Sequence, residues 1–220
     1  MCGIAGIIDS ENSQIAKGQL DAMISQISHR GPDNQQTKLF PHVGLAHARL
    51  SIIDLVRGDQ PIANEDETIW VILNGEIYNY IELRADLVNR GHTFRTRTDT
   101  EVIVHLYEEY GERFINQLNG QFAIALYDSS KKVVFLVRDR IGIVPLFYTN
   151  HGSRLCFASE IKSILTTFKN APEANLNALD QLFTFWAPVS PNTVFKNVFE
   201  LPPGYVLCFD LRNTENNVAQ

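Results

Sequence analysis

The sequence predicts an α+β fold of stacked antiparallel sheets flanked by helices. Short apolar runs rich in β-branched residues recur along the chain and read as strands. The gaps Asp128-Ser129-Ser130-Lys131 and Asn150-His151-Gly152-Ser153 carry turn residues and join neighbouring runs as hairpins. Between other runs, apolar residues recur at three- and four-residue spacing, the signature of amphipathic helices. A sheet and a helix each need a second layer to cover an apolar face, so such a mixture stacks.

The elements follow in chain order. Ile4–Ile8 reads as a strand, and a helix is expected from about Ile15 to Ser28. Val43–Ala46 and Thr68–Leu73 are further strands. Asn79-x-x-Glu82 opens a helix that stops near Gly91. Thr98-x-x-Glu101 has the form of a capping box, and Gly111 stands where a left-handed C-terminal cap would fall. Val102, Ile103, Leu106, Tyr107 and Tyr110 form the apolar stripe between them. Strands follow at Phe122–Tyr127, Val133–Val137, Leu146–Thr149, Leu155–Ala158 and Tyr205–Phe209, with short helices at Ile161–Leu165 and Leu176–Phe183. One domain over residues 1–210 is expected. Leu211–Gln220 is polar and aperiodic, and reads as a linker or a truncated end.

Composition narrows the function. Of 220 residues, 45% are hydrophobic and 20% charged, enough to bury a sizeable core. A net charge of -6 without any Lys/Arg-rich run argues against nucleic acid, because phosphate binding needs a positive surface. No run approaches the roughly 20 apolar residues that cross a bilayer, so no membrane partner is expected. The start is apolar only as far as Asp9 and lacks a basic leader, which points to a cytoplasmic protein. Cys2, Cys156 and Cys208 lie far apart, giving neither a disulfide framework nor a zinc pattern, and no metal ligands are assigned. Cys156 and Cys208 sit in strand-like runs and read as buried hydrophobes.

Cys2 carries the sharpest chemistry. Removal of Met1 would leave an α-amine and a thiol on one residue. That amine, with a pKa of about 7.7–8.0, is partly unprotonated near neutral pH and can take the thiol proton. Beside it, Gly3 and Gly6 let other groups approach the strand. His29–Asp33 (HRGPD) makes a tight turn after a helix. In His47–Ile52 (HARLSI), Arg49 stands among residues expected to be buried, so it needs an anionic partner, a structural carboxylate or a substrate. Asn74-Gly75 is a hairpin-turn signal and equally a pair of oxyanion donors, one amide side chain and one backbone N–H. Asp99 falls in the first turn of the helix opened by Thr98, where a carboxylate suits the helix dipole.

Taken in order, MCGIAGI, HRGPD, HARLSI, NGEIYN, TDTE, GQFAIALYD, RDRIGIVPLFY, ASEIKSIL and LPPGYVLCFD resemble the class II glutamine amidotransferases. These form the cysteine branch of the N-terminal-nucleophile hydrolases, and the chain is most similar to the amino-terminal glutaminase domain of asparagine synthetases. Val144 and Phe147 stand where many relatives carry Lys and Tyr. The resemblance implies a four-layer αββα sandwich that hydrolyses L-glutamine to glutamate and ammonia through a Cys2 thioester. It makes Cys2 the nucleophile, with Asn74 and Gly75 as the oxyanion hole. Arg49 is expected on the glutamine α-carboxylate, with the Leu50, Ser51, Ile52 and Ile53 backbone lining the pocket. Glu76 and Asp99 are expected at its polar end, Asp99 on the α-ammonium. His29 and His47 are expected to be structural. No cofactor is expected in this domain. ATP and magnesium belong to the implied C-terminal ATP-pyrophosphatase synthetase domain, of which no Ser-Gly-Gly or Walker loop is present here. Amino-sugar or purine-type acceptors and a non-catalytic glutamine-binding module are the alternatives, and a homodimer is left open.

Overall fold

A computed structural model describes all residues except Ser13, 213–216 and 220, and only the backbone of 217–219. The chain opens with β1 (Gly3–Asp9), α1 (Lys17–Ser25) and a 3-10 turn (Ser28–Arg30), followed by β2 (Asn34–Phe40), β3 (Val43–Arg49), β4 (Ile62–Ala63) and β5 (Ile69–Ile77). Helices α2 (Tyr80–Asn89) and α3 (Glu101–Tyr110) follow, with a 3-10 segment over Gly111–Gln117. The remainder is β6 (Gly120–Asp128), β7 (Val133–Arg138), β8 (Phe147–His151), β9 (Arg154–Ala158), α4 (Ile161–Leu165), α5 (Leu176–Phe185), β10 (Phe199–Glu200), β11 (Val206–Asp210) and β12 (Asn217–Ala219).

Two six-stranded sheets result, in the orders β10-β8-β9-β1-β3-β2 and β12-β11-β7-β6-β5-β4. Strand side chains alternate between faces, and the burial clusters follow that period of two. Ile4, Ile8, Leu45, Trp70, Ile72, Ala125, Leu136 and Phe209 meet between the sheets. Their strand neighbours turn outward. Ala5, Ile7, Ala46 and Ala158 pack on Leu20, Met23 and Ile24 of α1 and Ile164 of α4. On the other side, Val71, Leu73, Ile124 and Phe135 pack on Leu87 of α2 and Val102, Ile103 and Leu106 of α3. The order helix, sheet, sheet, helix is the αββα sandwich expected.

The differences from expectation have physical reasons. Asn74-Gly75 is not a turn: β5 runs on to Ile77, pairing Asn74 with Ala123 and Gly75 with Phe122. Gly75 is still required, since it sits at φ +149 and a Cβ there would lie 2.1 Å from the Gln121 carbonyl. Only half of the expected capping box forms. Thr98 Oγ1 accepts from Glu101 N (3.3 Å), but the Glu101 carboxylate instead takes the N–H groups of Arg95 and Thr96 (both 2.7 Å). Helix α3 therefore begins at Glu101, and Asp99 lies before its first turn. Gly111 has positive φ but ψ -138, so the helix ends without a left-handed α cap.

Strand β2, Asn-Gln-Gln-Thr-Lys-Leu-Phe, gave no apolar signal because it is a sheet edge with few buried positions. The α1 helix is shorter than expected, its tail tightening into the 3-10 turn. Within the segment expected to be a linker, Asn217–Ala219 pairs with β11. Of the expected linker, 213–216 and 220 lie outside the described residues. Cys156 is buried and Cys208 half-buried, both as free thiols.

Candidate active site

The site arises from the alternation that builds the core. Inner-face positions read Cys2-Ile4-Gly6-Ile8 through β1, Val43-Leu45-His47-Arg49 along β3 and Trp70-Ile72-Asn74-Glu76 along β5. Because β1 and β3 are antiparallel, with Gly3 opposite Ala48 and Ile8 opposite Val43, the polar ends of both strands fall at one end of their sheet. The polar end of β5 faces them. A cleft opens there, lined by Met1, Cys2, Arg49, Leu50, Ile52, Ile53, Gly58, Gln60, Leu73, Gly75, Glu76, Thr98, Asp99, Thr100 and Gln121.

Cys2 is held from both sides. Its Sγ accepts the Leu50 N–H (3.4 Å) and lies 3.7 Å from the Leu50 carbonyl. Its own carbonyl accepts from Arg30 Nε (2.9 Å), and the Ile4 N–H is taken by Ser159 Oγ (3.0 Å). Burial pushes the Cys2 thiol up, while the Leu50 N–H, the terminal ammonium and Arg49 pull it down. The thiol is therefore protonated at rest, and a nucleophile at this position needs a base. Met1, half exposed, sits at the mouth of the cleft.

Asn74 is fully buried behind the cleft. Its Nδ2 donates to Ser159 Oγ (3.4 Å), the second Nδ2 hydrogen has no acceptor among the described residues, and Oδ1 is unpartnered. Arg49 is more committed than expected. Its NH1 reaches Asp59 (2.8 Å) and the Leu55 carbonyl (3.5 Å), and its NH2 the carbonyls of Ile53 (3.3 Å) and Asp54. Both partners left open by the sequence thus compete for one guanidinium: Asp59 supplies the structural carboxylate, and the cleft supplies room for an anion. Gly58 permits this packing, since a Cβ there would lie 2.4 Å from Arg49 NH2.

Glu76 and Asp99 form the acidic wall. Burial, then the neighbouring Asp99 charge, raises the Glu76 carboxyl. Burial likewise raises Asp99, against the Ile77 N–H that its Oδ2 accepts (2.9 Å). A cationic group entering the cleft would relieve both. Ser51 does not line the cleft; its N–H is held by Asp33 Oδ2 (2.7 Å), which steadies the segment carrying the Leu50 N–H. The HRGPD turn is thus a buttress: Arg30 holds Cys2, Asp33 holds Ser51, and Gly31 packs against the Ala48 and Arg49 backbone, where a Cβ would fall 2.2 Å away. His29 bonds Glu160 (2.9 Å), outside the cleft. His47 is buried, and burial lowers its pKa to about 4; it lies near the Leu73 backbone, yet neither ring nitrogen reaches hydrogen-bond geometry.

Gln60, Thr98, Thr100 and Gln121 line the cleft and Ser159 bonds Asn74 and the Ile4 N–H, positions that sequence reasoning did not place at the site. Gln60 Oε1 takes the Leu73 N–H (2.6 Å) and its Nε2 donates to Thr100 (3.1 Å), tying the cleft floor to the segment before α3. Ordinary polar residues in loops give no local signal of such contacts.

A helix-covered pair of antiparallel sheets, with a thiol at the start of a central strand and a charged cleft beside it, is the frame of this chain, and comparison with known proteins gives its class. The model of the family described as "Glutamine amidotransferase domain" matches residues 1–218, and the chain belongs to that family. Among curated proteins it is 46% identical to asparagine synthetase [glutamine-hydrolyzing] 2 of Bacillus subtilis, covering 100% of this chain and 30% of that protein. Asparagine synthetase [glutamine-hydrolyzing] 1 of the same organism is 41% identical over 93% of this chain and 33% of its own. The chain thus spans about a third of the length of these relatives. Among solved structures, the glutamine phosphoribosylpyrophosphate amidotransferase of B. subtilis shares the fold with a TM-score of 0.71 at 18% identity, over 100% of this chain and 49% of that one. No helix among the described residues is long and apolar enough to cross a membrane.

Proposed function

We propose that the chain hydrolyses L-glutamine to glutamate and ammonia, with Cys2 as nucleophile. The observation that carries this reading is the placement of the Cys2 thiol in a cleft with Arg49 on one side and the Glu76–Asp99 wall on the other. An amino-acid zwitterion fits a fixed cation and a fixed anion. Asp99 takes the α-ammonium. Arg49 takes the α-carboxylate by exchanging its longer carbonyl bonds at 3.3 and 3.5 Å, keeping Asp59. Leu50, Ile52 and Ile53 flank the side chain.

Hydrolytic removal of Met1, once and before any turnover, exposes the α-amine; in the first half-reaction this amine accepts the Cys2 thiol proton as Sγ attacks the carboxamide carbon. Charge gathers on the carboxamide oxygen, where the free Nδ2 hydrogen of Asn74 and the Gly75 N–H receive it. The C–N bond breaks, the amine returns its proton to the leaving nitrogen, and ammonia departs from a thioester. Water then cleaves the thioester to glutamate and the free thiol. No step calls on a cofactor or metal.

The ammonia is consumed in asparagine synthesis on an ATP-dependent synthetase domain, a reading supported by relatives named asparagine synthetase that extend well beyond the matched third of their length. Incubating the chain with glutamine alone should yield equal glutamate and ammonia. With aspartate, ATP and magnesium added it should yield no asparagine or pyrophosphate. Glutamine binding without glutamate formation in Met1-free protein would reverse the proposal.

A further inference from the structure

Away from the cleft, on the outer side of the β5 sheet, four side chains from three segments converge. Glu65 comes from the β4–β5 loop, His92 from the residues after α2, and His105 and Glu108 from one face of α3. His105 is fully buried, and His92 keeps only 14% of its side-chain surface. His92 Nδ1 lies 3.3 Å from a Glu65 oxygen and 3.6 Å from Glu108 Oε2; His105 Nδ1 lies 3.2 Å from Glu65 and 3.0 Å from the same Glu108 oxygen. One donor atom from each of the four fits within 4.8 Å. A tetrahedral zinc with bonds of about 2.0–2.2 Å holds its donors roughly 3.3 Å apart, and the imidazole–carboxylate contacts lie near that value, with Glu65 using Oε1 toward His92 and Oε2 toward His105.

The surroundings match the same purpose. A metal-bound imidazole usually presents its other nitrogen to a carboxylate. Here His92 Nε2 lies 3.2 Å from Glu109, while His105 Nε2 lies 4.0 Å from Glu101 and makes no hydrogen bond among the described residues. The carboxylate ligands are oriented in turn. Asn64 Nδ2 donates to Glu108 (2.8 Å) and the Thr93 N–H to Glu65 (2.9 Å). With both imidazoles neutral, the two carboxylates leave a negative centre that a divalent cation would balance, in competition with protons on the same ring nitrogens. Two imidazoles and two carboxylates as donors suit zinc among the divalent metals.

We infer that Glu65, His92, His105 and Glu108 form a structural zinc-class metal site that clamps the β4–β5 loop, the end of α2 and helix α3. It lies apart from the chemistry at Cys2. Its consequence there is positional: Glu101, beside His105, fixes the backbone of Arg95 and Thr96, which leads into Asp99.

The test uses the full chain, stripped with chelator and titrated with zinc alone against a chromophoric competitor, with cobalt as a spectroscopic probe. One equivalent should bind. Cobalt should give the intense visible bands of a tetrahedral N/O site, and the melting temperature should rise by about 5–10 °C at a hundredfold excess over Kd. His92→Asn should lose the equivalent and the thermal shift. Glu109→Gln should weaken binding by about 10–100-fold while keeping the stoichiometry. Should His92→Asn fail to fold, Glu108→Gln provides the same comparison at an exposed position. Absence of zinc binding in wild type would overturn the inference. So would zinc retained by His92→Asn or Glu108→Gln but lost on Cys2→Ala, which would place the metal on the thiol. Stability that tracks pH alone, unchanged by zinc, would assign the cluster to imidazolium–carboxylate pairing instead.

Discussion

The two ends of the space between the sheets are built from the same strands and differ only in what those strands place there. At one end Ile8, Val43, Trp70, Tyr127 and Phe209 close into a dry core. At the other, the same inner-face rows of β1, β3 and β5 reach Cys2, His47, Arg49, Asn74 and Glu76. The apolar end gains stability from area removed from water, about 25 cal/mol per Å2. Little of that is available to the polar end. It holds a protonated thiol, raised carboxyls and an amide with an unpartnered oxygen. One end is an ordinary core; the other is a core interrupted, and its unsatisfied groups are the ones a substrate would complete.

Substitutions can break or sharpen that contrast. Cys2→Ala should have the largest effect, lowering glutamine turnover on the order of 10^4-fold or more, since nucleophile and proton donor vanish together. Its melting temperature should stay near wild type, because Cys2 is only half-buried at the chain start; steady-state ammonia release beside thermal unfolding reads both. Asn74→Ala should lower kcat about 100- to 1000-fold with little change in KM, as its donor acts on the developing oxyanion. A KM-only effect would move Asn74 out of that role.

Stability against pH sharpens the contrast next. His47 has a folded pKa of about 4 against an ordinary 6.5, so the unfolded chain binds the proton that the native one excludes. The stabilisation is present in full above pH 6.5 and is lost as pH falls toward 4, amounting to about 3 kcal/mol. Denaturant unfolding across this range should show that slope, and His47→Gln should flatten it; parallel curves would mean that His47 is hydrated. Smallest of all, Asp33→Ala should cost about 1 kcal/mol by freeing the Ser51 N–H, and raise KM modestly as the Leu50 segment loosens.

Much of this was legible in the sequence where period and local chemistry agree. The strands of both cores and the α3 stripe follow from apolar spacing, and the motifs from Cys2 to Asp99 include Cys2, Arg49, Leu50, Ile52, Ile53, Gly75, Glu76 and Asp99 of the cleft lining but not Ser51. Asn74-Gly75 shows where local reading stops. The dipeptide has a turn's chemistry, yet the β6 partner draws it into a strand that continues to Ile77. Edge strand β2 escaped notice because few of its positions are buried.

What the sequence by itself determined is the alternation that makes two sheets bury one face on each other and one on helices, together with the identity of the reactive groups. A period of two is a local property, and so is the pairing of a thiol with its own α-amine. Only the tertiary structure decided which polar ends coincide, that Asp59 shares Arg49, that Asp33 and Arg30 buttress Cys2 and Ser51, and that Gln60 ties the cleft floor to Thr100. So too with Glu65, His92, His105 and Glu108, brought together from three segments. Each of these contacts joins residues whose separation along the chain carries no periodic signal, and their meeting is set by strand register and layer stacking.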